Sequence, residues 1–378
     1  MAILRDPPEE NWPSMDLVSE MLVAEWCVDP EVDVTALAVP IPKILRRVRT
    51  LSPRTALNAD RLLARFVRYP ARVVRVRRDY DMFHVADHTY AQLVHALPGS
   101  RCGVYCHDLD AFRALLPGSK RPAWFRMLSR ILLEGMRSAA VIFHSTRAVG
   151  DELVRHGLVP RERLVHAPYG VSADFDARAR EGDECLPALA PLAGHRFLLH
   201  VGSAIPRKRI DVLFEVFARV RRTIPDLFLV QQGGDLTGQQ KDLARRLGID
   251  GALVQPSKLS RAELAVLYRR AALVLVPSDY EGFGLPVIEA LACGAPVLAS
   301  DIGVLREVGG DAAMYRPVAD IASWSDAIER VVAGTFVPPS HEERLDQASK
   351  YTWKRHATIL LDAYRDVFSR SARPRAFP

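Results

Sequence analysis

The chain has 378 residues, 49% of them hydrophobic and 25% charged, with a formal net charge of +6. At roughly 150 residues per domain that length predicts two domains, or three. The composition is that of a soluble globular enzyme and excludes a disordered protein, a collagen-like fibre and a small disulfide scaffold.

In chain order, the N-terminal MAILRDPPEENW is charged and proline-bearing, unlike a signal peptide. Ser14 reads as the N-cap of a helix carrying Leu17, Met21, Leu22 and Trp26. Strand signals fall at Val32 to Val39, Met82 to Val85, Gly103 to Cys106, Val141 to Phe143 and Leu164 to Ala167. Ser172 to Gly194, rich in Asp, Glu, Ala, Gly and Pro, reads as a linker. Beyond it, strands and helices alternate with short connections: strand Phe197 to Val201, a helix carrying Ile210, Leu213, Phe214, Phe217 and Val220, strand Leu227 to Gln232, a helix near Gln239 to Leu247 and strand Ala252 to Val254. Helix Arg261 to Ala271, strand Leu273 to Val276, helix Pro286 to Cys293 and strand Pro296 to Ala299 complete a doubly wound α/β domain of the Rossmann type. The amphipathic tail Trp353 to Phe368 is predicted helical. The longest apolar run, Ala271 to Pro277, is far short of the roughly 20 residues that span a bilayer.

The charge is unevenly distributed. Arginine outnumbers lysine 44 to 7, and eleven arginines fall between Lys43 and Arg78: Arg46, Arg47, Arg49, Arg54, Arg61, Arg65, Arg68, Arg72, Arg75, Arg77 and Arg78. Leu62, Leu63, Phe66, Val67, Val73 and Val74 are interleaved with them. The plain reading is a solvated helix face; the alternative is a surface for anionic lipid, a phosphorylated acceptor or nucleic acid. Nucleic acid is the weakest of these, since no zinc-finger spacing or aromatic RNA-binding signature accompanies the charge. Five scattered cysteines (Cys27, Cys102, Cys106, Cys185, Cys293) read as reduced thiols of a cytoplasmic protein. Cys102, Cys106 and His107 lack a second ligand pair and do not make a metal site.

The segment PSDYEGFGLPVIEALACGAPVLAS, Pro277 to Ser300, carries the chemistry. A strand ends at Pro277, a loop with Gly282 and Gly284 follows, and Pro286 and Gly294 bracket a helix. Glycines there let backbone amides approach an anion at the positive end of the helix dipole. Glu281 stands in the loop, and Glu289 lies one turn into an otherwise apolar helix, where a carboxylate needs donors such as the hydroxyls of a ribose. The plainer alternatives are a solvated loop acid and an arginine pair. In VGSAIPRKRID, Val201 to Asp211, the cations Arg207, Lys208 and Arg209 precede a helix and oppose its dipole, which an anionic ligand would offset.

These segments resemble the retaining nucleotide-sugar glycosyltransferases of the GT-B fold, specifically glycosyltransferase family 4, the glycosyl transferases group 1. Glu281 and Glu289 match the family's Glu-x7-Glu spacing. The resemblance extends through the Arg207–Lys208 cluster, LREVGGDAA (Leu305 to Ala313), VIFHSTRAVGDEL (Val141 to Leu153), HAPYGV (His166 to Val171), FHVADHTYAQL (Phe83 to Leu93) and VYCHDLD (Val104 to Asp110).

It implies two Rossmann-like doubly wound domains facing a central cleft that closes over the substrates. Residues 1–180 would form the acceptor side and 190–350 the nucleotide-sugar domain, with a helix in 351–378 crossing back to the first domain. Lys208 and Arg207 would grip the donor diphosphate and Glu289 the ribose. Glu281 would act at the donor sugar, and His107 would reach that sugar's hydroxymethyl group. Backbone from Gly282, Phe283, Gly284 and Leu285, with Gly202 and Ser203, would complete the donor site. Ser203 stands where the family often has arginine, and Asn11-Trp12-Pro13-Ser14 replaces its N-terminal glycine-rich loop.

The resulting expectation is a cytoplasmic hexosyltransferase, with peripheral contact at the inner face of the membrane through the arginine-rich stretch as the alternative to a solvated face. It would move a sugar, GDP-mannose favoured over UDP-hexoses as donor, to a glycan, lipid-linked or small-molecule acceptor with retention. Asp108-Leu109-Asp110 has the form of a metal-binding motif but belongs to the other domain, so no metal and no cofactor is expected. The rivals are a nucleotide-sugar 2-epimerase, which needs no acceptor, and a catalytically silent binding subunit.

Overall fold

β1, Ala2–Leu4, is only three residues long, yet it is completely buried between two neighbours in a parallel sheet. The computed structural model describes residues 1–10, 12–47, 52–192 and 194–372; Asn11 and Arg49 lie outside them. The chain separates into two compact units, Met1–Tyr169 with the segment from Trp353, and Gly170–Thr352.

The first unit continues with α1 (Pro13–Trp26), β2 (Thr35–Leu37), α2 (Pro53–Leu63), a π-helical turn (Ala64–Arg68) and α3 (Tyr69–Val76). Then come β3 (Phe83–Val85), β4 (Cys102–Cys106), α4 (Ala123–Ser138), β5 (Val141–His144), α5 (Arg147–Arg155) and β6 (Leu164–His166). Its six strands lie parallel in the order β2-β1-β3-β4-β5-β6. β1 was not expected, because three apolar residues before a charged turn carry no readable period. The strand expected over Val32 to Val39 is reduced to Thr35–Leu37. The helix expected to be capped by Ser14 instead begins at Pro13, with Trp12 at the cap and no side-chain cap bond. Proline's fixed φ suits the first helical position, so Ser14 falls inside.

The second unit holds β7 (Phe197–Val201), α6 (Ile210–Thr223), β8 (Phe228–Gln232), α7 (Gly238–Arg246), β9 (Leu253–Val254), α8 (Arg261–Arg270) and β10 (Leu273–Val276). α9 (Leu285–Ala292), β11 (Val297–Ser300), α10 (Gly303–Gly309), β12 (Met314–Arg316), α11 (Ile321–Val332) and α12 (His341–Ser349) follow. Its sheet runs β12-β11-β10-β7-β8-β9, all parallel. Leu198, Leu229, Leu275 and Leu298 on the strands pack with Phe214, Phe217 and Trp324 in one core.

Residues 170–180 group with the second unit, and Ser172 to Gly194 is not a free linker. Arg269 on α8 binds Asp183 Oδ2 at 2.6 Å and the Asp176 carbonyl at 3.1 Å, while Phe175 packs edge-on against Tyr268. α13 (Trp353–Ala372) belongs to the first unit, where Trp26 Nε1 donates to the Ala357 carbonyl at 3.1 Å and Tyr364 hydrogen-bonds His84 at 2.7 Å. Among the described residues no helix is long and apolar enough to cross a membrane.

Candidate active site

In the second sheet, chain order reverses between β7 and β10: β8 and β9 lie on one side, β11 and β12 on the other. Loops leaving adjacent strand ends at such a reversal diverge and leave room for a ligand. The residues singled out in the second unit fall on the loops after β7 and β10 and on the first turns of α9.

After β7, the Gly202 amide donates to the Gln232 carbonyl at 2.8 Å, and Gln231 Nε2 donates back to the Gly202 carbonyl at 3.0 Å. This close approach depends on Gly233, whose φ is +118° and whose added Cβ would lie 2.9 Å from Gly202 backbone atoms. Ser203 follows, and Pro206–Lys208 forms a tight 3-10 turn. The three cations then part company. Arg209 adopts a left-handed conformation, φ 52°, and pairs outward with Asp211 and Asp279. Arg207 and Lys208 turn to Glu281. The dipole cost expected of three cations before α6 is thus met partly within the protein, since Asp211 in the helix's first turn partners Arg209.

Glu281 is almost completely buried. It accepts from Arg207 Nη1 at 2.8 Å, from Ser278 Oγ at 2.7 Å and from Lys208 Nζ. Burial alone would raise its pKa, but Lys208 and Arg207 hold it down to about 2, so the carboxylate stays charged at all ordinary pH values. The Asp279 amide donates to the Arg207 carbonyl at 2.9 Å, tying the two loops together. Glu281 is therefore the anion that keeps two cations aimed into one place, not a solvated loop acid.

Beyond Gly282, the Phe283 side chain packs edge-on against Tyr351. Gly284 caps α9 at φ +92°, and a Cβ there would come within 2.7 Å of Leu305. Leu285 and Pro286 open the helix, whose N-terminal end attracts anions. One turn on, Glu289 is buried and accepts from the Tyr268 hydroxyl at 2.9 Å. Burial raises its pKa to about 7, with Tyr268, Arg261 and Lys208 pulling the other way. The arginine pair weighed as the plainer alternative is replaced by a tyrosine on α8. The sequence reading missed Tyr268 and Ser278. Tyr268 hid on the apolar side of a helix, whereas Ser278 lies in the quoted motif, three residues before Glu281.

His107 follows β4 in the first unit, buried, with Nε2 against the Ala86 carbonyl at 2.7 Å and Nδ1 against the Tyr169 hydroxyl. Burial lowers its pKa, so the ring is neutral, donating through Nε2 and accepting through Nδ1. Both nitrogens are engaged inside the unit. Asp108 shares its loop, and Cys106 Sγ donates to the Asp108 carbonyl at 3.3 Å.

Of the arginine-rich stretch, Arg46 pairs with buried Asp60 at 3.3 Å and Arg61 with Glu10 at 3.3 Å. Arg68, Arg72 and Arg75 line an open groove of about 370 Å³ with Ala38, Val39 and Pro40. Leu62, Val67 and Val74 are exposed beside them, while Val73 turns into the core.

Residues 188–352 match the family described as Glycosyl transferases group 1. Across the chain, the fold is that of a sucrose-phosphate synthase from Thermosynechococcus elongatus, with TM-score 0.72 and 18% identity over 98% of this chain and 99% of that one. It is equally that of HepE from Anabaena in complex with UDP-glucose, with TM-score 0.73 and 16% identity over 98% of this chain and all of that one. Fold and matched domain together define the class, a glycosyltransferase with the GT-B fold. Among curated relatives, the chain is 28% identical to O-antigen chain mannosyltransferase B of Escherichia coli over 344 residues, 84% of this chain and 86% of that protein. It is 34% identical to a D-inositol 3-phosphate glycosyltransferase of Saccharomonospora viridis over 241 residues, 60% of this chain and 55% of that one.

Proposed function

We propose that this protein is a retaining, metal-independent glycosyltransferase of family 4 that takes a hexose from a nucleotide-diphosphate sugar. The observation that carries the reading is the buried cluster of Glu281 with Arg207, Lys208 and Ser278 at the reversal point of the second sheet. In the reaction, the bond from the anomeric carbon to the diphosphate breaks and its electron pair departs on the phosphate oxygen. Arg207 and Lys208, held in place beforehand by Glu281, stabilise that charge without reorganising. The amides at the start of α9 supply further positive potential, so a divalent cation is not needed to neutralise the leaving group.

Glu289, with one oxygen on Tyr268, takes the ribose hydroxyls, and Glu281 faces the positive charge that develops on the sugar. The acceptor oxygen forms its bond on the face the diphosphate leaves. GDP-mannose is the favoured donor, in keeping with the Pro206-Arg207-Lys208 sequence and the mannosyltransferase relative. The exposed apolar residues among the arginines of α2 and α3 support peripheral contact with an anionic membrane. A thermal-shift panel of GDP, UDP, ADP and dTDP tests the donor assignment, since a bound nucleotide raises apparent stability by mass action. GDP should give the largest shift; a flat response to all four would overturn the proposal.

A further inference from the structure

The first sheet has a reversal point of its own. β1 is flanked by β2 on one side and β3 on the other, so the place where open α/β sheets take ligands lies beyond the ends of β1 and β3. These strands are in register, Leu4 opposite Val85, and two residues past each end stands an aspartate, Asp6 and Asp87. Both are more than nine-tenths buried.

Asp87 is provided for: it accepts from the Thr89 amide at 2.6 Å, and His88 Nδ1 stands 3.3 Å away. Asp6 is not. Neither of its oxygens meets a hydrogen-bond donor among the described residues. Its neighbour is the Asp87 carboxyl, within hydrogen-bonding reach, and burial beside that second acid raises the pKa of Asp6, which therefore holds the proton the two share. Arg65, from the π-helical turn, lies 4.5 Å over the ring of Tyr90, and its charge acts on both aspartates. Its Nε and Nη2 are buried and also lack a hydrogen-bond partner among the described residues. Those two nitrogens are one edge of the guanidinium, the fork that meets two oxygens of a phosphate or carboxylate. A buried acceptor and a buried two-pronged donor, both unmet, are costly unless a ligand completes them.

We infer that Asp6 and Arg65 bind the acceptor of the proposed transfer, and that this acceptor is a hydroxylated compound bearing a phosphate. A hydroxyl donates to the open oxygen of Asp6, and two phosphate oxygens meet the Arg65 fork. The inference rests on the donor reading of the second unit and is separable from it, because the two sites take different probes. The phosphate could belong to a soluble sugar phosphate or to a lipid headgroup such as phosphatidylinositol.

The test uses the full chain with glucose 6-phosphate, glucose and inorganic phosphate in thermal-shift titrations, and vesicles with and without phosphatidylinositol in co-sedimentation. Nucleotide diphosphates are titrated in parallel. Wild type should respond to glucose 6-phosphate more than to glucose or inorganic phosphate, or bind the phosphatidylinositol vesicles selectively; the first marks a soluble acceptor, the second a headgroup. Arg65→Met, and Arg65→Lys, which keeps the charge but not the fork, should weaken the interaction at least ~tenfold. Asp6→Ala, which removes the accepting oxygen, should lose the preference for sugar phosphate over inorganic phosphate. The proposal is overturned if neither glucose 6-phosphate nor the vesicles engage wild type while nucleotide still binds, or if the variants respond as wild type does. A wild type that binds no nucleotide would overturn the donor reading and this inference with it.

Discussion

Replacing Glu281 by glutamine removes one negative charge from a buried cluster of two cations and leaves the shape nearly unchanged. A carboxyl held at about 2 against an ordinary 4.5 has gained about 3 kcal/mol from its partners on folding. Removing one partner of a buried ion pair costs a similar ~3–5 kcal/mol, since Lys208 would keep its charge without an anion. Glutamine retains an acceptor for Lys208 or Ser278, so the lower figure applies. Because the pKa is depressed, this stability is fully present above about pH 4.5 and is lost as the pH falls toward 2.

Glu281→Gln should therefore be about 3 kcal/mol less stable than wild type at pH 7 in urea unfolding. The gap should close as the wild type is acidified through that window. Calorimetric titration at pH 7 should show nucleotide diphosphate still binding, because Arg207 and Lys208 are retained, while single-turnover transfer falls strongly. Equal stability of the two proteins at pH 7, or loss of nucleotide binding in the variant, would refute the reasoning.

Glu289 behaves oppositely: its pKa is raised to about 7 by burial, so it withdraws stability as the pH rises from 4.5 through 7. Glu289→Gln should abolish that decline and be more stable than wild type at pH 8 by up to about 3 kcal/mol, while Glu289→Ala should weaken nucleotide binding about ten- to a hundred-fold. Nucleotide affinity of the wild type should rise between pH 6 and 8, since ribose hydroxyls favour the charged carboxylate; a flat calorimetric profile would count against the ribose assignment. Transfer activity should survive EDTA, and a loss restored by manganese or magnesium would show that the cations of the β7 loop do not suffice. Flotation at low salt should recover more protein on anionic than on neutral vesicles if the arginine face meets membrane; equal recovery would confine those arginines to solvent.

Much of the second unit was legible in the amino-acid order because its signals are local. Buried parallel strands such as Leu273–Val276 are continuous apolar runs, α6 shows its 3.6-residue period, and glycines and Pro286 punctuate the loop before α9. Glu281, Glu289, Arg207 and Lys208 could be singled out because charge is conspicuous among apolar or glycine-rich neighbours. What those charges do to one another was decided only in three dimensions. The bonds from Arg207 and Lys208 to Glu281 span more than seventy residues of chain, and the sheet order brings them together by setting β7 beside β10. The same packing turned Arg209 away, supplied Tyr268 to Glu289 and occupied both nitrogens of His107. Asp6 and Asp87 look unremarkable in sequence, eighty-one positions apart; register between two three-residue strands makes them neighbours. Periodicity reports which face of an element is buried, but the partner met there depends on long-range strand order, which no local window contains.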